Sequence, residues 1–460
     1  MIFVKNTKAI LSIAILIINT GIAFAQINIS KSDKLDVIYF GNRYSYLVPH
    51  VEKTFNKAMS FHNDFWNYHD TITNAVLNDF ADMGHAGAIA MPFSQVQIGI
   101  EPYGFAFSII PSNERFQWLF NHELTHIVMT DKANDKDQFY RNILFGKVRR
   151  NEEKPVSAFW SYKTTPRWYS PRWYQEGIAC FMETWMSGGL GRAMGTYDEM
   201  YFRSIVNEKH KLYSLVGLET EGTSIDFQLG ANSYLYGARF VSYLAYKYGT
   251  QKLKDFYSRT DSSKSFYAGQ FKNVYGEPVR KVWNDWITWE NDFQNENIKK
   301  VSEYPLTEIK PITAKPLGNF SNFGYDAEND KIYAAINHPG VISQIVEINR
   351  QDGKIRKIAT LDSPVMYYST DLAYDKAGKR IFISENNNKI RKLVSVDIVT
   401  GSKKVLMEYA RTGSFAFNDT DRCLWAIRHD NGYAVLVKIP EPYDKVIPVY
   451  TAPFGKTLFD

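Results

Sequence analysis

Five consecutive residues of this chain combine two imidazoles and a carboxylate in a spacing that suits a metal ion. They are His122-Glu123-Leu124-Thr125-His126, which match the pattern H-E-x-x-H. On a helix, residues four apart lie on the same face, so both histidines can direct a ring nitrogen to one ion. Glu123 would lie beside the open coordination position and accept a proton from water. The chemistry predicted is hydrolysis by a metal-activated water, and a pair of structural histidines is the alternative.

A third ligand would favour the metal, because catalytic zinc usually has three protein ligands and a water. Glu176 follows His126 by 50 residues, within W-Y-Q-E-G-I-A, and it begins an otherwise apolar helical pattern. Burying a carboxylate there costs free energy unless it binds a cation. Taken alone, Glu176 could equally be a solvated acid at a helix N-terminus. Together with the two histidines, it is predicted to complete a site for one Zn²⁺.

These motifs resemble those of a known family. H-E-L-T-H followed by W-Y-Q-E-G-I-A resembles the gluzincin clan of zinc metallopeptidases. The form W-x-x-E-G-x-A is similar to that of secreted bacterial peptidase MA-like proteins and, distantly, of aminopeptidase N. The resemblance implies that His122, His126 and Glu176 are the metal ligands and that Glu123 is the general base. It also implies a sheet whose edge strand binds the substrate backbone.

The same resemblance implies roles for two further residues. Glu183 resembles the second acid of W-x-x-E-G-(x5)-E, which would orient a ligating histidine. A surface carboxylate is the alternative. Tyr234, in the segment Y-L-Y-G, resembles a tyrosine that donates a hydrogen bond to the oxyanion. Its spacing to Gly237 favours Tyr234 over Tyr236, and packing is the alternative for both.

One departure from the family concerns the substrate. Aminopeptidases of the clan bind the free amine of the substrate with a G-x-M-E-N segment, which this sequence lacks. The strand predicted nearest to that position, 93–100, contains no acid, and Glu101 is followed by Pro102. The resemblance therefore implies an endopeptidase-like or specialised peptide or protein substrate. An ester or a non-peptide amide is a further alternative.

The elements that must position these residues are predicted as a sheet and a mostly helical half. Pro111-Ser112-Asn113-Glu114 predicts the start of the H-E-x-x-H helix, whose apolar period reaches Met129. The other predicted elements are strands at 35–40, 88–100 and 105–110, a helix around 51–59, a long irregular stretch at 131–170, a helix at 238–248 that ends at Gly249, and a long helix that Pro278 opens.

The C-terminal part of the chain repeats. The segment 325–333 is echoed at 374–382 and more loosely at 417–425. A period of about 40 to 50 residues with short strands and polar turns is typical of propeller blades. It resembles TolB-like propellers, although closed propellers need at least about four blades and about three units are present. Three explanations of the small number of units are open. The sequence is part of a longer one, a partner or unrecognised strands complete the domain, or the domain is a small open β-domain.

The fold class predicted is an α+β zinc-metallopeptidase domain followed by an all-β partial propeller. The predicted boundaries are a signal peptide at 1–25, the metallopeptidase domain at 26–300, a linker at 301–317 and propeller repeats at 318–460. Lys5 and Lys8, an apolar run and Ala23-Phe24-Ala25 indicate a cleaved signal peptide and a secreted or periplasmic protein. An uncleaved anchor is the minor alternative.

Composition limits the partners. The formal net charge of +5 mixes both signs, and Lys147-Val148-Arg149-Arg150 is closely followed by acids, which excludes a nucleic-acid surface. No second membrane segment is predicted. Only Cys180 and Cys423 are present, so no disulfide framework is predicted. The predicted function is a zinc peptidase, and the alternative is an inactive peptidase-like scaffold whose propeller binds a protein or polysaccharide.

Overall fold

The computed structural model describes residues 27–69, 72–82, 86–101, 114–193, 195–219, 231–338, 340–362, 369–387, 390–456 and 458. The predicted signal peptide at 1–25 and the predicted strand at 105–110 lie outside these residues. Among the helices in the described ranges, none combines the length and the apolarity that a membrane crossing requires. A mixed helical and β half precedes a set of β-sheets, which agrees with the predicted order of an α+β part before an all-β part.

A five-stranded sheet opens the N-terminal half. Its strands are β1 Ile27–Lys31, β2 Leu35–Phe40, β3 Thr73–Asn78, β4 Ala86–Ile89 and β5 Ser94–Gly99. Their spatial order is β1-β2-β3-β5-β4, with the three central strands parallel and the two edge strands antiparallel. Every second residue of β3 is buried, because one face of the strand packs on the helical core.

The strand predicted at 93–100 is confirmed by β5, whereas a continuous strand at 88–100 is wrong, because β4 occupies the first part of this segment. The chain reverses between β4 and β5, so that Ala86 pairs with Ile98. Pro92 lies in the turn between β4 and β5, where its lack of a backbone N–H costs no hydrogen bond between strands. As a result, β4 lies at the edge of the sheet, and β5 is its partner within the described part of the chain.

Helices make up the rest of the N-terminal half. They are α1 Val48–Trp66, α2 Arg115–Asp131, α3 Asp135–Ile143, α4 Val156–Thr164, α5 Arg172–Met186, α6 Thr196–Asn207, α7 Leu215–Glu219, α8 Ala231–Tyr248, α9 Thr250–Tyr257, α10 Tyr267–Tyr275 and α11 Val279–Val301. The predicted stripe of α1 is confirmed, since Val51, Phe55 and Met59 are buried. The predicted helix end at Gly249 and helix start at Pro278 are confirmed as well, whereas the helix predicted from Ala238 already begins at Ala231.

The irregular stretch predicted at 131–170 is wrong, since it contains α3, α4 and the 3₁₀ turn Pro166–Tyr169. Helix α3 begins with a capping box formed by Asn134 and Asp137. Asp137 also accepts from Arg259, with Nε–Oδ2 at 2.6 Å and Nη2–Oδ1 at 2.8 Å. The polar composition of this segment suggested a loop, whereas its charges form caps and a buried ion pair.

Three antiparallel sheets form the C-terminal half. The first contains β6 Asn319–Phe320, β7 Gly324–Asp326, β8 Lys331–His338, β9 Val341–Asn349 and β10 Ile355–Thr360. The second contains β11 Leu372–Asp375, β12 Arg380–Asn387, β13 Ile390–Asp397 and β14 Lys403–Met407. The third contains β15 Thr412–Asn418, β16 Cys423–Asp430, β17 Tyr433–Ile439 and β18 Ile447–Thr451.

The three sequence repeats coincide with the first tight hairpin of each sheet. In each repeat an Asp or Asn side chain accepts a backbone N–H within the turn. The last turn residue has a positive φ in all three, between 49° and 56°. The capping residues are Asp326, Asp375 and Asn418, and the positive-φ residues are Asp330, Lys379 and Arg422. The repeated sequence therefore encodes a repeated turn.

The sheets stack face to face. On β12, Ile381 and Ile383 pack into a cluster shared with the first sheet, whereas Phe382 packs into a cluster shared with the third. This alternation follows from the two-residue period of a strand. The arrangement is that of neighbouring propeller blades, and the described residues form no closed propeller.

The third sheet also contacts the N-terminal half. The Tyr46 hydroxyl donates to the Asn431 carbonyl at 2.5 Å, and the Tyr46 and Tyr433 rings stack with centroids 5.4 Å apart. The Arg411 guanidinium donates to Asp79 at 3.0 Å and to Asp82 at 2.7 Å. The two halves thus share a polar and aromatic interface.

Candidate metal centre

Helix α2 carries the H-E-x-x-H segment in its buried middle. The Glu114 side chain caps the helix by accepting the N–H groups of Phe116 and Gln117 at 3.0 and 2.8 Å. The helix begins at Arg115, directly after the predicted segment, and the acid of that segment serves as the cap itself, whereas residues 111–113 lie outside the described residues. His122 and His126 lie one turn apart on the same face, with their Nε2 atoms 3.2 Å apart.

Helix α5 brings Glu176 to the same point. Its Oε2 atom lies 3.4 Å from the Nε2 of His122 and 3.3 Å from the Nε2 of His126. Burial would raise the pKa of Glu176, but the two imidazoles hold this pKa well below its ordinary value. The three side chains that the sequence proposed as ligands thus direct one atom each to a common position.

These three atoms fit a zinc ion. Two atoms bound at about 2.0–2.1 Å to a tetrahedral zinc lie about 3.4 Å apart, close to the observed separations. The Oε2 of Glu176 is buried and receives no hydrogen bond from the residues that the structure describes, which is costly unless a cation binds there. Two imidazoles and one carboxylate are also a usual donor set for catalytic zinc.

Glu183 contacts the Nδ1 side of the His122 ring, whereas the Nε2 side of the ring faces the common position. Its Oε2 lies 2.7 Å from the Nδ1 of His122, and the side chain is fully buried, so the alternative of a surface carboxylate is wrong. Burial would raise the pKa of Glu183, but Arg192 and His122 lower it to about 2. An ionised Glu183 accepts the Nδ1–H of His122, which leaves the Nε2 lone pair directed at the common position.

Arg192 fixes the carboxylate of Glu183. Its Nε donates to Oε1 at 2.9 Å and its Nη2 to Oε2 at 2.8 Å, and its backbone N–H also donates to Oε1. This two-pronged bond holds a planar carboxylate in one orientation. Sequence reasoning missed Arg192, because no motif marks it and its loop follows the glycines after α5.

A second set of ligand-type atoms lies nearby, from His122, Cys180 and Glu183. Arg192 already binds both oxygens of Glu183, so a positive charge occupies this side. Burial raises the pKa of the Cys180 thiol, which keeps it protonated. These residues therefore suit a metal less well than the first set does.

Two glycines allow the helices that carry the site to approach closely. Gly177 follows Glu176 on α5, and Gly237 follows Tyr234 by three residues on α8. A Cβ atom on Gly177 would lie 2.5 Å from the backbone carbon of Gly237, and a Cβ on Gly237 would lie 2.5 Å from the Trp173 carbonyl. The glycines of both motifs are thus needed for backbone contact between α5 and α8.

The common position opens into a cleft of 260 Å³. Glu123 and Tyr234 line the cleft together with the proposed ligands, and small residues of β4 line its opposite wall. Glu123 is almost fully buried. Arg172 and Gln175, at the start of α5, complete the rim.

Tyr234 and Tyr236 have different surroundings. The Tyr234 ring lies parallel to that of His122 with centroids 6.1 Å apart, and the Arg192 guanidinium lies 4.9 Å from its centre. Burial, with the charge of Glu176, raises the pKa of Tyr234 well above its ordinary value, so the hydroxyl keeps its proton. Tyr236 is fully buried in the core, and its hydroxyl accepts the Tyr213 N–H.

Comparison with known proteins gives distant structural likenesses. No family model and no curated protein matches the chain. TolB from Acinetobacter baumannii is 12% identical over 30% of this chain and 34% of that chain, with a TM-score of 0.26. The beta-propeller domain of the Trilobed protease from Pyrococcus furiosus is 16% identical over 30% and 43%, with a TM-score of 0.22. The chain spans less than half of the length of each of these structures.

Proposed function

We propose that this chain is a secreted or periplasmic zinc metallopeptidase of the gluzincin type. The observation that supports this function is the convergence of His122, His126 and Glu176 beside Glu123 in an open cleft. A scaffold that merely binds a partner has no need of a carboxylate next to the position that a metal-bound water would take. Three ligands with an adjacent acid are instead what metal-assisted hydrolysis requires.

The residues of the chain would divide the work as follows. His122, His126 and Glu176 would hold a zinc ion, which would supply a Lewis acid to polarise a carbonyl and acidify water. Glu123 accepts the proton of the attacking water and passes it to the leaving amine. The Tyr234 hydroxyl donates a hydrogen bond to the oxygen that becomes negative. Glu183 keeps the ring of His122 oriented.

The edge strand favours a polypeptide as the substrate. Ala86, Gly87 and Ala88 of β4 line the cleft, their side chains are small, and β4 is an edge strand within the described residues. An extended peptide can add to such an edge through main-chain hydrogen bonds. A small ester would make no use of this wall.

The test is the substitution Glu123→Gln, which removes the base while keeping a side chain of similar size. We expect zinc content equal to that of the wild type and turnover lower by about 10²–10⁴-fold. Zinc is measured by elemental analysis of the purified protein, and hydrolysis by mass spectrometry of a peptide library. Glu152→Gln, on an exposed turn, is the matched control and should retain full activity. Undiminished hydrolysis by Glu123→Gln would exclude the proposed mechanism.

A further inference from the structure

A cavity of 870 Å³, larger than the metal cleft, lies between α5, α8 and α11. The lining residues of each helix recur at intervals of three and four, so one face of each helix forms a wall. None of the residues assigned above to the zinc chemistry lines this cavity. The proposed hydrolysis therefore leaves the cavity unexplained.

Aromatic rings cover two sides of the cavity. On α5, the Phe181 and Trp185 rings meet edge to face with centroids 5.6 Å apart. On α11, Trp289 and Phe293 stack with centroids 5.0 Å apart, and Tyr243 of α8 lies 5.3 Å from Trp289. Trp185 is 40% exposed, and Tyr246, which also lines the cavity, is 80% exposed. The protein thus leaves a large aromatic surface open to a ligand.

The charge of the cavity is negative. Asp292 and Glu296 lie among its lining residues and are exposed, and neither makes an ion pair or hydrogen bond within the described residues. Arg239 is the lining residue that carries a positive charge. Its guanidinium forms ion pairs with the carboxylates of Glu290 at 2.8 Å and Glu199 at 2.6 Å. The positive charge of Arg239 is therefore already compensated, and the two carboxylates at the rim are not.

Arg239 shows that a guanidinium can lie over an aromatic ring in this cavity. Its guanidinium lies 5.3 Å from the centre of the Phe293 ring. Rings with a neighbouring carboxylate attract a cation on an apolar stem through cation–π and ionic contacts together. A neutral sugar could stack on the rings but would gain nothing from the charge. We propose that this cavity binds a basic segment of a polypeptide, with an arginine or lysine side chain inserted between the rings and the two carboxylates.

Binding of a short peptide tests the proposal. The probe is a blocked glycine pentapeptide with a central arginine, and its isosteric neutral control carries citrulline instead. Titration calorimetry uses the full chain in the Glu123→Gln form, so that cleavage cannot consume the probe. We expect the arginine peptide to bind about tenfold more tightly than the citrulline peptide.

Two double variants with the same change in net charge locate the site. Asp292→Asn with Glu296→Gln should weaken binding of the arginine peptide about tenfold. Asp33→Asn with Glu303→Gln, which alters exposed acids outside the cavity, should leave the affinity unchanged. Tyr246→Ala, at an exposed position, should also weaken binding. Equal affinity for both peptides, the same affinity in both double variants, or no binding at millimolar peptide would overturn the proposal.

Discussion

Tyr234 and Tyr236 lie two residues apart on α8, yet Tyr234 lines the cleft beside His122 and His126, and Tyr236 lies in the core. If the Tyr234 hydroxyl stabilises the oxyanion, Tyr234→Phe should lower kcat by about 10²–10³. KM should change little, because this hydrogen bond strengthens in the transition state. Steady-state kinetics on a peptide identified in the library screen measure both constants.

Tyr236→Phe is the matched control for that prediction. It removes a hydroxyl that accepts the Tyr213 N–H, so it should lower the stability by about 1 kcal/mol while leaving kcat unchanged. A wild-type kcat in Tyr234→Phe would assign the oxyanion contact to another residue. An equal loss of kcat in both variants would indicate a general effect of disturbing α8.

At the level of single residues, the sequence identified side chains whose chemistry is carried by a motif. His122, His126 and Glu176 could be predicted as neighbours because their residue types and spacing are specific. Arg192 could not, because its position beside Glu183 depends on how the loop after α5 folds back. A long-range contact made by one arginine among many leaves no local pattern.

At the level of elements, the contact between α5 and α8 holds the two sides of the site together. Gly177→Ala would place a Cβ atom against the backbone of Gly237, which cannot move away as a side chain can. We expect the free energy of unfolding to fall by about 1–3 kcal/mol. Zinc affinity should fall as well, since Glu176 precedes Gly177 on α5. Thermal denaturation and a competitive zinc titration measure the two effects.

Gly269→Ala is the control for this substitution. Gly269 lies within α10 and does not line the cleft beside His122 and His126. A Cβ atom on Gly269 would make an ordinary contact with Lys264 at 3.7 Å. Alanine should therefore be neutral or slightly stabilising at Gly269. If Gly177→Ala is as stable and binds zinc as tightly as the wild type, the glycine contact is not what positions Glu176.

Some helices and strands could be predicted from the sequence and others could not. Helices with a strong apolar period, such as α1 and α11, agree with the sequence because the period itself drives burial. The hairpin of β4 and β5 and the helices α3 and α4 were missed. Their formation depends on chain reversal at Pro92 and on tertiary contacts such as Asp137 with Arg259, which outweigh local composition.

At the level of the whole molecule, a charged cluster joins the propeller-like sheets to the N-terminal half. Asp82 is buried, the side chain of Asp79 is 5% exposed, and Arg411 bonds to both. Burial would raise the pKa of Asp79, but hydrogen bonds from His429, Arg411 and Tyr44 hold it below its ordinary value. Burial lowers the pKa of His429, so the neutral ring donates its Nε2–H to Asp79 at 2.8 Å.

Removing the arginine should uncouple the two halves. Arg411→Gln removes the cation that Asp79 and Asp82 share and leaves Asp79 with Arg43 at 3.4 Å, which should cost about 3 kcal/mol. We expect the unfolding of the two halves, which calorimetry follows, to separate into two transitions or to shift to lower temperature. Arg356→Gln is the control, because Arg356 pairs with Glu347 within one sheet and is 49% exposed, so its loss should cost little.

Acid should act on the wild-type interface in the same direction as Arg411→Gln. A carboxyl whose pKa is lower in the folded state stabilises the fold above its ordinary pKa of about 4, and this contribution is lost as the pH falls below that value. Between pH 6 and pH 3, the wild type should therefore lose more stability than Arg411→Gln, whose Asp79 lacks one of the donors that lower its pKa. Parallel pH titrations of the thermal transitions measure this difference. Identical pH profiles for the two proteins would mean that Asp79 and Arg411 are not coupled across the interface, and that the stacked rings of Tyr46 and Tyr433 hold the halves together instead.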